Sequence, residues 1–430
     1  MNRWIACSAA VVVAAAAILS SVHGGGQAAL APTPAIRQHL VDPTSETPQQ
    51  VQADTATFAW QLFLFVNWPE LTGARGVPDI KRFIGYNGPT VWESYKNVSE
   101  VYQSNGLRPV DWEIDDEVPV VPSRLAAISP ARLAALGPVD SHWIHFLAEP
   151  VMIDGQQICD ATSQVVRYDV RGNRSYYDYV VNNTSGYQLF NVQGQQAALA
   201  DSNFTFNFPT STLEVKASWR ILGSEDDASR YWTAIGVYWD TNHVLRSARI
   251  GLTGLHIIGK TLPNWVWTTF EQVDNPTATF KYFLGKKGDP LGPNPNYDKG
   301  LATINNEYQQ ALVGTKWQYY ALMKVQTDFV NNGQPIIMSN TQMETYFQPQ
   351  SSCISCHNLA SIGKPQSPSQ NLRLLFFYPL NPYTGKIDFQ QIANQQAPGE
   401  PFKAMDFAWS LRNAQAIKQS APKAKPTGGQ

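Results

Sequence analysis

The chain has 430 residues, of which 43% are hydrophobic and 15% charged, with a formal net charge of −2. That length holds one large or two modest domains, and the near-neutral charge leaves no basic field for a nucleic-acid partner, which is excluded. Thirteen Trp, 18 Tyr and 19 Phe beside 29 Gly and 29 Pro point to short strands and turns around aromatic packing.

Residues 1–31 read as an export signal, with a basic start at Arg3, an apolar run from Ile5 to Leu19, then small and polar residues. The run is short for a bilayer span, and cleavage is expected after Gly24, Ala28 or Ala31. The alternative is a retained anchor, but no stop-transfer pattern follows and Cys7 lacks a lipid-attachment context. No later stretch resembles a membrane-spanning helix. The mature chain is therefore expected to be periplasmic or secreted, with no integral span. Residues 32–54, rich in Pro, Thr, Gln and Ser, read as an extended leader.

A β-rich domain is expected over residues 55–332. It opens with the bulky apolar stretch 56–68 (ATFAWQLFLFVNW), which suits a buried helix ending before Pro69, with Trp60, Phe63, Leu64 and Trp68 on one face. Ser129 and Pro130 supply an N-cap and first-turn proline for a second short helix, stopped at Gly137-Pro138. His142 and His145 have a spacing that could bind metal on a helix, but the alternation that follows weakens that geometry. From about residue 143 to 270 the pattern has strand period: Phe204, Phe206 and Phe208 on one face, then Leu213, Val215, Ala217 and Trp219. Glu214 and Lys216 share the other face and are expected to form a solvated pair. In a strand, His256 would share a face with Gly254, Ile258 and Lys260, which puts a titratable pair between apolar neighbours. His256 is the weak catalytic candidate: a distal iron ligand, a proton donor, or a satisfied core histidine. Trp265, Trp267, Thr269 and Glu271 form a further face. Residues 317–329 (WQYYALMKVQTDF) read as a strand, although their aromatic content also allows a helix.

Residues 333–413 are expected to form a small helical, cytochrome c-like segment docked at the C-terminal end, giving an α+β fold class overall. Thr341 to Glu344 read as a capping box opening a short helix through Phe347. The chemistry lies in Cys353-Ile354-Ser355-Cys356-His357, the attachment pattern of c-type haem: two thiols add to the vinyl groups and the adjacent His binds iron. One helical turn projects both sulfurs toward one porphyrin edge and the imidazole toward the metal. A redox dithiol, a disulfide or half a zinc site are the rivals. There is no second Cys pair, and zinc would need ligands from distant His or carboxylates. Cys159 is left without a partner and reads as a small buried hydrophobe. Residues 414–430 are basic and rich in Pro, Ala and Gly, and are expected to be disordered.

Five segments carry a family resemblance: 208–219 (FPTSTLEVKASW), 251–261 (GLTGLHIIGKT), 265–275 (WVWTTFEQVDN), 341–346 (TQMETY) and 351–360 (SSCISCHNLA). Together they resemble large, exported, mono-haem cytochrome c-family proteins of bacteria. The resemblance implies one covalent haem c and export, and it supplies no substrate, because the family has no firmly assigned reaction. The expected role is a periplasmic oxidoreductase or redox subunit, working with a redox partner protein or a small-molecule substrate. A pure electron-transfer cytochrome and a haem-based ligand sensor are the alternatives. For the distal iron position Met405 comes first, as the only methionine downstream of the motif; Met343 is second, His256 third, and an open site is the remaining choice.

Overall fold

The structure, a computed structural model, describes residues 40, 42–114, 144–147, 152–153, 156–157, 165–182, 186–239, 245–275, 278–283, 286–293, 298–344, 348, 351–363 and 402–417. The expected export signal, the helix after Ser129, His142 and Cys159 lie outside these residues. The leader differs from the extended expectation where it is described. A 3-10 turn spans Pro43–Ser45, and α1 is Pro48–Ala53. The cause is local: the Thr47 and Gln50 side chains cap each other's backbone and Pro48 takes the first helical position.

Helix α2 spans Thr55–Val66 and is capped by Asp54, whose carboxylate accepts from Thr57 N at 3.0 Å. It ends where Asn67 donates back to Phe63 O, ahead of Pro69. Its side chains from Phe58 to Val66 are buried almost without exception, so it is a core helix and not an amphipathic surface one. After β1 (Lys96–Asn97) and the single turn α3 (Val98–Val101) come β2 (Ile144–Phe146), the short pair β3 (Met152–Ile153) and β4 (Gln156–Gln157), and β5 (Arg167–Gly172). Two helices, α4 (Arg174–Val181) and α5 (Val192–Ala200), lead to β6 (Leu213–Ile221), β7 (Thr233–Trp239), β8 (Leu245–Gly259) and β9 (Val266–Gln272). The hairpin β10 (Ala278–Phe283) and β11 (Lys286–Pro293) precedes α6 (Ala302–Ala311), β12 (Tyr320–Gln326) and the small pair β13 (Val330–Asn331) and β14 (Gln334–Pro335). The chain closes with α7 (Cys353–His357), β15 (Ser361–Gly363) and β16 (Phe402–Ala404).

Eight strands form one sheet among the described residues, in the order β1-β5-β6-β8-β7-β2, with β9 also beside β8 and β12 beside β9. All pairings are antiparallel except β2 with β7. The 15-residue β8 is the spine: its first half pairs β7, its second half pairs β9, and β6 runs along the other edge. The fold is α+β and β-rich, as the sequence predicts.

Alternation divides the sheet into two unlike faces. On one, Val215, Ala217, Trp219, Leu255, Ile257, Phe270, Tyr320 and Leu322 are buried against α2 and its neighbours. Phe63 lies 4.4 Å from Phe270, Trp60 stacks on Tyr308 at 4.8 Å, and Trp92 meets Trp219. Asn305 of α6 accepts from Trp60 Nε1 and bonds both backbone groups of Leu322, which satisfies these polar groups inside the core. The other face carries Glu214, Lys216, Ser218, His256, Thr269 and Glu271. Here the expectation of a solvated Glu214–Lys216 pair fails: Glu214 is buried, and half-buried Lys216 places its ammonium 4.4 Å from the Tyr168 ring centroid. This face is covered by residues 338–344, 348, 351–363 and 402–413, whose Cys353, Ile354, Met405 and Leu411 share one apolar cluster with Val51 and α2.

Two further differences have local causes. Phe204, Phe206 and Phe208 run without strand pairing, because Asn207 N donates to the Tyr179 hydroxyl and Phe208 N to the Asp406 carboxylate. Trp317 belongs to a 3-10 turn (Lys316–Tyr319) ahead of β12, so only the later part of that stretch is strand. Residues 414–417, expected in the tail, hold position through Gln415, which bridges to Asn191. Among the described residues no helix is long and apolar enough to cross a membrane. Replacing Phe63, fully buried among Trp60, Phe270, Trp317 and Tyr320, with alanine should cost about 3–5 kcal/mol, read as a lower denaturant midpoint with an unchanged slope.

Candidate haem-attachment site

Helix α7 is a single turn, Cys353–His357, and its start is held by two polar side chains. Ser352 accepts from Ser355 N at 3.4 Å and receives the Gln326 amide at 2.9 Å, while the Gln326 carbonyl accepts from Ile354 N. Gln326 ends β12 on the polar face, so the sheet itself orients the motif. Cys353 is 8% exposed and Cys356 partly exposed, and both thiols are free. At i and i+3, with His357 at i+4, the three side chains share one side of the turn. Burial pushes the Cys353 thiol up and the Cys356 thiol up to about 11, so both are protonated at neutral pH. On the helix's other side the Trp409 indole donates to Cys356 O at 3.0 Å.

His357 is held by a ring contact and a hydrogen bond. Its imidazole lies 4.4 Å from the Trp267 ring centroid, and Nδ1 is 2.9 Å from Phe407 O. A carbonyl only accepts, so Nδ1 carries the proton and Nε2 keeps its lone pair. Burial drives the pKa down to about 4, leaving a neutral ring at pH 7. Phe407 lies in a tight turn in which Ala408 N donates to Met405 O and the two central residues are left-handed, Asp406 at φ 48° and Phe407 at φ 64°. Such a conformation costs an L residue about 1–3 kcal/mol.

Between α7 and the sheet lies a buried polar group of residues on β6 and β8 and in the turn after Met338. His256 is 6% exposed and its Nε2 has no hydrogen-bond partner; Glu344 Oε2 is 3.6 Å away. Burial lowers the His256 pKa well below its usual range, with the charges of Lys216 and His357 acting in the same direction. His256 is therefore neutral at pH 7, and its contact with Glu344 is not an ion pair. Burial raises the Glu344 carboxyl to about 7, opposed by Lys216. The predicted capping box and its helix do not form over residues 341–344, which make a turn: Asn340 accepts from Gln342 N, and Glu344, four residues on, accepts from Asn340 N at 2.7 Å. The turn is pinned to β9 by Thr341, which gives two hydrogen bonds to Glu271, and by Asn340, which donates to Thr269 Oγ1 and Phe270 O.

The structure thus brings Cys353, Cys356, His357 and His256 to one region. Met405 is buried, its amide donating to Ala360 O, in the turn whose Phe407 carbonyl meets His357 Nδ1. Met343 packs in a small cluster with Val166 and Tyr168. His145 lies on β2. Lys260, expected on the His256 face, lies past the end of β8 and pairs with Asp406 instead. Asp406, Phe407 and Asn340 escape sequence reading, since each acts through a partner distant in the chain; Asn340 and Thr269, for example, are 71 positions apart. No protein-family model matches the chain, and neither a curated protein nor a solved structure does.

Gly254 is required by the close approach of the Asn340 turn, since a Cβ there would lie 2.7 Å from Asn340 Nδ2 and 2.8 Å from Ser218 Oγ. Gly254→Ala should break the Asn340 bonds to β9 and lower stability by about 1–3 kcal/mol, measured by denaturant unfolding.

Proposed function

We propose that the chain is an exported c-type cytochrome acting as an oxidoreductase or redox subunit, with one haem joined to Cys353 and Cys356 and its iron bound by His357. The observation that carries this reading is the His357 arrangement: two free thiols on the same turn, Nδ1 donated to Phe407 O, and an unprotonated Nε2 left for a metal. The chemistry of these donors fits haem. Bound there, haem would supply one-electron transfer and an iron coordination position. The resemblance to large exported mono-haem proteins points the same way, with residues 333–413 as the cytochrome c-like segment. A redox protein or a small molecule is the partner.

Of the distal candidates, Met405 lies in the turn that already serves His357 through the Phe407 carbonyl, and Met343 is engaged with Val166 and Tyr168. Neither methionine is left free by its contacts, which favours a haem that would keep a position for a small ligand, with His256 and Glu344 as the titratable groups in the buried polar layer, hence redox chemistry on a bound molecule. Pure electron transfer is the second reading, favoured by half-buried Trp409, whose bond to Cys356 O links the motif toward the surface.

Cys353→Ser combined with Cys356→Ser should abolish haem staining on a denaturing gel; a stained double variant would refute covalent attachment. The optical spectrum of the reduced protein should shift on adding carbon monoxide, and Met405→Ala should leave the oxidised spectrum unchanged. A carbon monoxide-insensitive protein whose spectrum changes in Met405→Ala is an electron-transfer cytochrome instead.

A further inference from the structure

We infer that Asp406 is a positioning residue that clamps the Met405–Ala408 turn so that the Phe407 carbonyl faces His357 Nδ1. The inference rests on His357 being an iron ligand, and it concerns how that ligand is held. Asp406 and Phe407 occupy the two central positions of the turn, both at positive φ. Asp tolerates this conformation through its short polar side chain, whereas Phe is a poor choice where Gly or Asn is the usual resident. A strained turn persists only where its surroundings over-determine it, and here the Asp406 carboxylate supplies the constraint. Oδ1 accepts from Lys260 Nζ at 2.6 Å and Trp265 Nε1 at 3.3 Å, and Oδ2 from Phe208 N at 2.7 Å.

These donors come from separate parts of the main fold. Lys260 and Trp265 lie in the β8–β9 connection, where Trp265 is itself left-handed at φ 61°, and Phe208 lies in the extended stretch before β6. The Lys260–Asp406 pair is buried, at 7% and 8% side-chain exposure, and is thus little screened. The Phe407 carbonyl then receives both Trp409 N and His357 Nδ1. A hydrogen bond at Nδ1 fixes the tautomer and raises the basicity of the ligating imidazole, which favours the ferric over the ferrous state.

The test uses the full-length haem-loaded protein and its reduction midpoint. Asp406→Asn keeps the shape and tolerates positive φ, but it cannot serve both sets of donors. Removing a negative charge near iron also raises the midpoint, so the deciding variant is Lys260→Met with Asp406→Asn, in which the two charge changes cancel. Both variants should keep covalent haem on a denaturing gel and raise the midpoint by about tenfold in the ferric-to-ferrous equilibrium, near 59 mV for one electron. Adding Phe407→Gly to either variant, which removes the strain the clamp resists, should return the midpoint toward the parent value. An unchanged midpoint in the charge-cancelling variant, or no recovery with glycine, overturns the positioning role while the haem reading stands. A parent protein without covalent haem overturns the haem reading, and this inference with it.

Discussion

The organising constraint is a sheet face that carries charge and must nonetheless be buried. Glu214, Lys216, His256 and Glu271 stand on adjacent central strands, and a buried polar group without partners costs several kcal/mol. Most of the covering layer's contacts answer that constraint. Thr341 and Asn340 satisfy Glu271 and Thr269, and Gln326 supplies both ends of its amide to the start of α7. The motif-bearing turn is therefore oriented by hydrogen bonds from the sheet in addition to apolar packing through Ile354. Such bonds are directional, so they fix where His357 points in a way that a greasy contact would not.

The opposite face has the complementary task. Its aromatic side chains and the wholly buried α2 supply the non-directional stabilisation that allows the polar layer to exist. One apolar cluster runs from Val51 to Ala414 and includes Cys353 and Met405. The segment bearing the motif thus shares its core with the rest of the chain. A carrier of electrons needs only a compact shell, and the large sheet here does more than shield: it provides the Gln326, Trp267 and His256 side chains that surround the motif.

His256 and Glu344 stand apart from the anchoring contacts: His256 Nε2 is buried without a hydrogen-bond partner, 3.6 Å from the Glu344 carboxylate. An unpaired buried donor or acceptor is unfavourable, so His256 is held there by the packing of the layers around it. Lys403 illustrates the contrasting structural solution. It donates to the backbone carbonyls of Ala198, Asp201 and Phe204, and so ties β16 to the end of α5 with a purely anchoring role.

Local pattern was enough to read α2, where an unbroken apolar run meets Pro69, and β6 and β8, where period-two alternation places Val215 and Ala217 on one side and Lys216 on the other. It also singled out Cys353, Cys356 and His357 as candidates, because the attachment pattern is five consecutive residues. Alternation could not tell whether the second face of β6 meets water or protein, which is why Glu214 looked solvated and is buried. Nor could it find the Lys260–Asp406 contact across 146 positions, or show that the turn after Met405 presents the Phe407 carbonyl to His357 Nδ1. What consecutive residues encode, the sequence by itself determined: periodicity and the motif. Which charges are covered, and which carbonyl meets His357, only the tertiary structure decided, because those contacts join residues that approach one another only when the sheet is assembled.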